Sequence, residues 1–301
     1  MTLPIFVVDA FIVEGKAFTG NAAGVVLLEF DDDISDEKKQ QIAEEMNLSE
    51  TAFVSFGWTK GNKLAAVEGT AQRTLRWFTP TNEVPLCGHA TVASAKVIAN
   101  VQLQEGGEKS ISFDSKFRGK LGADLQSDGS VSLNFPSNPT HVLNQDENPW
   151  LPSVIQHCVG SKDLVDGVHY SPGTKILLIR LKDELTAEGL RSVRPNFQAL
   201  LDIDTGNFLR DIIVTVKGGS TDSPDFFSRF FAPWDGINED PVTGLAHTVL
   251  TPFWTKELGK VGPLKARQHS TRGGDLECTL LGDRVKITGQ ARIGLKGQLF
   301  I

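Results

Sequence analysis

Two stretches of this chain are apolar on nearly every face: GHATVASAKVIAN at 88–100 and GLAHTVLTPFWTKEL at 244–258. A helix without a polar stripe has no side to give to water, so both are predicted as buried helices. Around them lie short runs, ISFDSKF, VSLNF, KILLIRL, DIIVTV and RVKITG, separated by turn signals. Short strands so punctuated predict an antiparallel or mixed sheet rather than a doubly wound one. The expected class is α+β, with a sheet wrapped around one central helix, built twice. Residues 35–47, SDEKKQQIAEEMN, are mostly polar and open with Ser35 as an N-cap, which predicts a surface helix. That helix delivers the chain to LSETAFV, where Glu50 heads a strand. Pro252 falls inside the second buried helix. An interior proline costs about 3 kcal/mol, so a kink or early break is expected there.

The chain also repeats itself. RWFTPTNEVPLCGHA (76–90) returns as RFFAPWDGINEDPVTGLA (229–246), with three extra residues before the second Asn-Glu. Arg76, Phe78, Pro80, Asn82, Glu83, Pro85, Gly88 and Ala90 align with Arg229, Phe231, Pro233, Asn238, Glu239, Pro241, Gly244 and Ala246. GKLGADLQSDGSVSL from Gly119 and GDLECTLLGDRVKI from Gly274 match at a similar offset. Self-similarity over half a chain predicts two copies of one domain. They are expected at 1–140 and 141–301, joined near the Pro/Asn-rich stretch at 136–150.

Charge and composition narrow the function. A net charge of −7 over 301 residues has the wrong sign for a nucleic-acid or anionic-membrane surface. No run approaches the roughly 18 uninterrupted apolar residues of a membrane span. The N-terminal MTLPIFVVDAF lacks a basic start and is broken by Asp9, so it is read as a strand rather than a signal peptide. Three scattered cysteines, Cys87, Cys158 and Cys278, make no disulfide framework, and a reducing, cytoplasmic setting is expected.

Both repeated loops run into a predicted helix. Unpaired backbone N–H groups and the dipole make such N-termini anion sites, which makes Gly88, Thr243 and Gly244 candidates for holding a small carboxylate across a cleft between the halves. The residue before the repeated glycine is Cys87 in one copy and Thr243 in the other. A thiol at a helix N-terminus is expected to have a lowered pKa; a threonine hydroxyl needs an adjacent base. A symmetric pair of thiol bases is therefore absent. Glu83 and Glu239 repeat and are read as loop-fixing groups, for example by bonding backbone N–H. No metal is expected, since Cys87 and His89 alone are too few ligands and no CxxC, HxxxH or HExxH occurs. GxSxG, GxGxxG and GxxxxGK[ST] are also missing, so neither a hydrolase elbow nor a nucleotide cofactor has support.

LSETAFV, RWFTPTNEVPLCGHATVASA and EDPVTGLAH, with LPIFVVDAF and FTGNAAGVV before them and RGGDLE after, resemble the phenazine biosynthesis PhzF-like family over nearly the whole chain. The resemblance implies the diaminopimelate epimerase fold, two pseudo-symmetric halves, a homodimer and no cofactor. It implies that Glu50 transfers the proton, that His89 and Asp240 share its polar cluster, and that Asn21 of FTGNAAGVV contacts substrate. Leu245 stands where the phenazine enzyme has a serine, and Cys87 where it has a small residue but the epimerases have a catalytic cysteine. Three readings stay open. One is a cofactor-independent isomerase with Glu50 as base, its carboxyl raised by burial towards roughly 6 to 7. The second is an epimerase or dehydratase with Cys87 as base. The third is a binding or scaffolding protein whose cleft Leu245 fills.

Overall fold

The computed structural model describes residues 1–65, 67–68, 70–101, 109–219 and 224–301. They form two compact units: Met1–Asn134 with Ile287–Ile301, and Phe135–Lys286.

In the first unit, β1 (Thr2–Ala10), β2 (Asn21–Leu27), β3 (Glu50–Ser55) and β4 (Thr70–Phe78) are neighbours in that order. β5 (Glu83–Val84) is a two-residue strand against the end of β4, and β6 (Ser110–Ser115), β7 (Gly119–Leu125) and β8 (Val131–Pro136) continue the sheet. The order of pairings is antiparallel β1–β2, parallel β2–β3, antiparallel β3–β4, parallel β4–β6 and antiparallel β6–β7. Helix α1 (Asp36–Met46) covers β3 and β4, while α2 (Gly88–Val101) lies against β1, β2, β3 and β7. His89 to Ala95 of α2 are all buried, as its unbroken apolar surface requires. Leu3, Val26, Ile42, Phe53 and Phe78 form a separate core under α1.

The second unit holds β9 (His141–Val142), β10 (Val165–Ser171), β11 (Ile176–Leu181), β12 (Asp211–Lys217), β13 (Phe226–Phe231), β14 (Leu264–Gln268), β15 (Gly274–Leu281) and the first half of β16 (Arg284–Gly289). Its pairings repeat the same series: antiparallel β10–β11, parallel β11–β12, antiparallel β12–β13, parallel β13–β14, antiparallel β14–β15. Helices α3 (Leu151–Val159), α4 (Thr186–Ser192) and α5 (Phe197–Leu201) belong to this unit, and α6 (Gly244–Leu258) takes the place of α2. The mixture of parallel and antiparallel pairs is what the α+β reading of the sequence anticipates.

Strand β17 (Ala291–Phe300) pairs antiparallel with β1, so the last residues of the chain belong to the first unit. In return β9, which follows β8, pairs with β10 of the second. The end of each half thus completes the sheet of the other. A division at 140 misses this exchange, because a strand's partner is not legible from its own alternation.

Pro252 does not end its helix early: α6 runs unbroken from Gly244 to Leu258. Proline removes the N–H that would bond the carbonyl four residues back. That carbonyl, on Thr248, instead accepts the backbone N–H of Asn138 at 3.0 Å, and Asn138 Nδ2 donates to Thr248 Oγ1 at 2.9 Å. No helix among the described residues is long and apolar enough to cross a membrane.

Candidate active site

Three short segments of the first unit converge on one polar cluster. The first is the entry to β2. Gly20 has φ +81°, and a Cβ there would collide with the Ala10 carbonyl, so only glycine lets the chain turn into Asn21. The second is the entry to β3. Helix α1 starts on Ser35, whose hydroxyl accepts the Lys38 N–H, and ends on Asn47 in the left-handed conformation. The chain then reverses through Ser49 into Glu50, which lies beside Ala23 of β2 in a parallel pair. The third is the start of α2, where Cys87 and His89 flank Gly88.

Glu50 Oε2 lies 3.1 Å from His89 Nε2. Both atoms are buried, and neither has an aligned hydrogen-bond partner, so the contact is that of an ion pair. On the other side of the ring, Nδ1 is 3.4 Å from Cys87 Sγ and 3.3 Å from Asn21 Nδ2, and Ser49 Oγ donates to Asn21 Oδ1 at 3.4 Å. The imidazole therefore stands between a thiol and a carboxylate. Asn21 is fully buried, and Cys87 and His89 nearly so.

The electrostatics differ from the sequence expectation at two residues. Burial pushes the Glu50 carboxyl up, but the His89 charge and the close approach of His89 and Cys87 outweigh it and hold Glu50 below its ordinary value. Burial likewise lowers His89, yet Cys87 and Glu50 raise it well above its usual range. Glu50 is thus a carboxylate and His89 an imidazolium near neutrality, rather than Glu50 a carboxyl raised towards 7. Cys87, expected to be lowered, is pushed up to about 11, first by burial and then by the Glu50 charge, against His89 and a backbone hydrogen bond. The helix N-terminus does not overcome desolvation plus a neighbouring anion.

Glu50, Cys87 and His89 each offer a donor atom within 4.8 Å of the others. They are the residues that could hold a thiophilic cation, and the sequence count of ligands had omitted Glu50. Such a cation has to displace protons from both a raised thiol and a raised imidazole, which opposes binding at neutral pH.

The remaining candidates sit in the second unit. The Thr243 hydroxyl donates to Asp240 Oδ2, and the Thr243 N–H donates to Gln268 Oε1 at 2.9 Å. Gln268 Nε2 in turn donates to the Asp240 carbonyl at 2.8 Å. Both polar groups of Thr243 are therefore committed within the loop. His247, one turn into α6, has Nδ1 2.8 Å from the Thr243 carbonyl, and burial lowers it to about 4, so it is neutral. Gly244 opens α6, and Leu245 beside it is 40% exposed rather than packed into a filled space.

Sequence reasoning passed over Gln268, His247 and a buried carboxylate, Asp211. Gln268 carries no motif, and its importance comes only from a strand 25 residues beyond Thr243 passing beneath the loop. Glu83 and Glu239 do fix their loops, but not through backbone N–H. Arg76 Nε and Nη2 donate to Glu83 at 2.7 and 2.9 Å, and Arg229 Nε and Nη2 donate to Glu239 at 2.7 and 2.9 Å. The arginines had already appeared as aligned repeat positions, which was the missed signal.

Comparison with known proteins gives the wider setting. A phenazine biosynthesis-like domain-containing protein of Bos taurus is 44% identical over 99% of both chains. An uncharacterized isomerase of Halalkalibacterium halodurans is 40% identical over 100% of both. The crystal structure of a PhzF family phenazine biosynthesis protein of Enterococcus faecalis superposes with a TM-score of 0.82 at 35% identity, covering 100% of both chains. The model of the PhzC-PhzF family of phenazine biosynthesis-like proteins matches residues 8–297, and with its repeated sheet-and-helix halves of the diaminopimelate epimerase type this chain belongs to that family.

Proposed function

We propose that this protein is a cofactor-independent isomerase that moves a proton on a small carboxylate-bearing substrate, with Glu50 as the base. The observation that carries this reading is the buried Glu50–His89 pair, whose facing atoms have no other partner. An ionised carboxylate in a desolvated site accepts a proton from a carbon next to a carboxylate or in an allylic position. The proton leaves carbon for Glu50 Oε and returns to another carbon, so none is consumed. The His89 imidazolium offsets negative charge developing on the substrate, and the Asn21 side chain lies 3.3 Å from its other ring nitrogen. The relative in Halalkalibacterium halodurans, an uncharacterized isomerase, agrees with this chemistry. Gly88 and Gly244 at their helix starts are proposed substrate contacts, and Asp240 a substrate-binding carboxylate. A homodimer is the assembly we propose, to be measured by sedimentation.

The contact between Cys87 Sγ and His89 Nδ1 favours a second reading, in which the thiol is the base of an epimerase or dehydratase. Its raised pKa argues against that role at neutral pH. The binding-protein reading draws less support, since Leu245 leaves its surroundings open.

The test is proton exchange. A panel of small α-amino and α-hydroxy acids is incubated with the protein in heavy water and followed by proton NMR. Glu50→Gln abolishes exchange and Cys87→Ser leaves most of it if Glu50 is the base. The reverse pattern transfers the role to Cys87. No exchange from any acid, and no rise in melting temperature with any of them, leaves the binding reading.

A further inference from the structure

Among the described residues one group offers donor atoms of three different kinds to a single ion: a carboxylate oxygen of Glu50, the sulfur of Cys87 and an imidazole nitrogen of His89, all within 4.8 Å of one another. Zinc bonds a thiolate at about 2.3 Å and an imidazole or carboxylate at about 2.0 to 2.2 Å, which sets the donors of a tetrahedral site roughly 3 to 4 Å apart. Glu50 Oε2 and His89 Nε2 are 3.1 Å apart, and Cys87 Sγ and His89 Nδ1 are 3.4 Å apart. Only one ring nitrogen can serve the ion, so closing the third side takes movement of about 1 Å.

The donors are not used up by one another. Glu50 Oε2 and His89 Nε2 are both buried, and close as they are, neither makes an aligned hydrogen bond. Buried polar atoms are nearly always satisfied, so two that face each other unsatisfied mark unspent binding capacity. Regular structure places all three: Glu50 opens β3 in register with Ala23 of β2, and Cys87 and His89 bracket the first residue of α2. The Glu50 side chain is 16% exposed against 7% for His89, which gives a bare ion, unlike a bulky thiol reagent, a way in from the Glu50 side. Three protein donors leave a tetrahedral ion one open position, the pattern of a site that exchanges what it holds rather than of a closed structural site.

We propose that Glu50, Cys87 and His89 bind one thiophilic divalent cation, of the zinc or cadmium type, and that this cation inhibits the protein by occupying its base. The inhibition rests on the isomerase reading above; the binding rests on the donor geometry alone. A sulfur and an imidazole select such ions over Mg²⁺ and Ca²⁺, which take oxygen. Binding is an exchange with no change of oxidation state. Bonds form from the cation to Sγ, one ring nitrogen and one carboxylate oxygen, while the thiol proton and one imidazolium proton pass to solvent. A Glu50 carboxylate held by a dication is a far weaker base, so the substrate carbon keeps its proton.

Cadmium is the probe, because its bond to a thiolate gives an ultraviolet charge-transfer band that reports the ligand itself. The full-length protein is titrated with Cd²⁺ at pH 8.5, where competition from protons is eased, and assayed in parallel for deuterium exchange with the same acid panel. One equivalent is expected to raise the band and stop exchange, and EDTA to reverse both. Cys87→Ser is expected to lose the band and about 100-fold or more in affinity, since even groups behind a metal ligand are worth about 10- to 100-fold. Cys158→Ser and Cys278→Ser are expected to keep both. Thermal unfolding checks each variant, and if Cys87→Ser does not fold, X-ray absorption of the zinc-loaded wild type decides, with one sulfur and one imidazole expected on the metal. No band at one equivalent, a band that survives Cys87→Ser, or zinc bonded to no sulfur overturns the site. A band with exchange intact overturns the inhibition. Exchange absent from the metal-free wild type with every acid overturns the isomerase reading and leaves the cation site, read by the band, in place.

Discussion

Arg229 grips Glu239 through two parallel hydrogen bonds of 2.7 and 2.9 Å, and Glu239 is the only carboxylate partner the structure gives it among the described residues. The remaining guanidinium N–H groups reach the carbonyls of Leu190 and Val193. Its counterpart Arg76 has the same grip on Glu83 but also contacts Asp31 at 3.0 Å and Asp36 at 2.6 Å. Removing one partner of a buried pair leaves an uncompensated charge, at a cost of about 3 to 5 kcal/mol. Glu239→Gln is therefore expected to destabilise the protein by about 3 kcal/mol, and Glu83→Gln by clearly less, in urea unfolding at pH 7. Equal losses would contradict the account of the two networks.

The Glu50–His89 pair predicts a stability plateau. A carboxyl lowered by folding contributes stability that is present above its unfolded value of about 4.3 and lost as pH falls through the folded value. A histidine raised by folding contributes stability that is present below about 6.5 and lost as pH rises through the folded value. In Glu50→Gln the carboxylate counter-charge is gone, and Cys87, a neutral thiol at pH 8 with its own value raised to about 11, is left to oppose the burial that lowers His89. Nitrogen NMR at pH 8 should show His89 as imidazolium in the wild type and as neutral imidazole in the variant.

All three thiols are predicted to be inert in the native state. Cys87, Cys158 and Cys278 are buried and pushed up to about 11, 12 and 12, so little thiolate exists at pH 8. Ellman's reagent should react with none of them within minutes and with all three after unfolding in urea. Rapid labelling of Cys87 alone would restore it as a candidate base.

Leu245 tests the binding-protein reading from the stability side. At 40% exposure it contributes little packing, and Leu245→Ser is expected to change unfolding free energy by no more than about 0.5 kcal/mol. A loss several times larger would mean that the side chain is held in a packed contact, as the binding-protein reading requires.

How much of this was legible from sequence follows from what each signal depends on. The two buried helices were readable because α2 and α6 are apolar all round, and the repeat was readable because it preserved Arg, Phe, Pro and Gly at fixed order. The meeting of Glu50, Cys87 and His89 was foreshadowed by motif, but the sign of their pKa shifts was not. That sign is decided by which of burial and neighbouring charge is larger, and only coordinates place His89 at 3.1 Å. Pro252 misled for the same kind of reason: its cost falls on the Thr248 carbonyl, and the N–H that relieves it comes from Asn138, far away in sequence.

The exchange of β9 and β17 has a historical implication. If a half-length ancestor paired its last strand onto a second copy of itself, it was a reciprocally swapped homodimer. Joining two such genes end to end turns the swap into an ordinary chain connection and frees each half to diverge. The difference between Cys87 and Thr243 at aligned positions is what such freedom permits: identical subunits can only repeat a residue, whereas fused ones can let it differ.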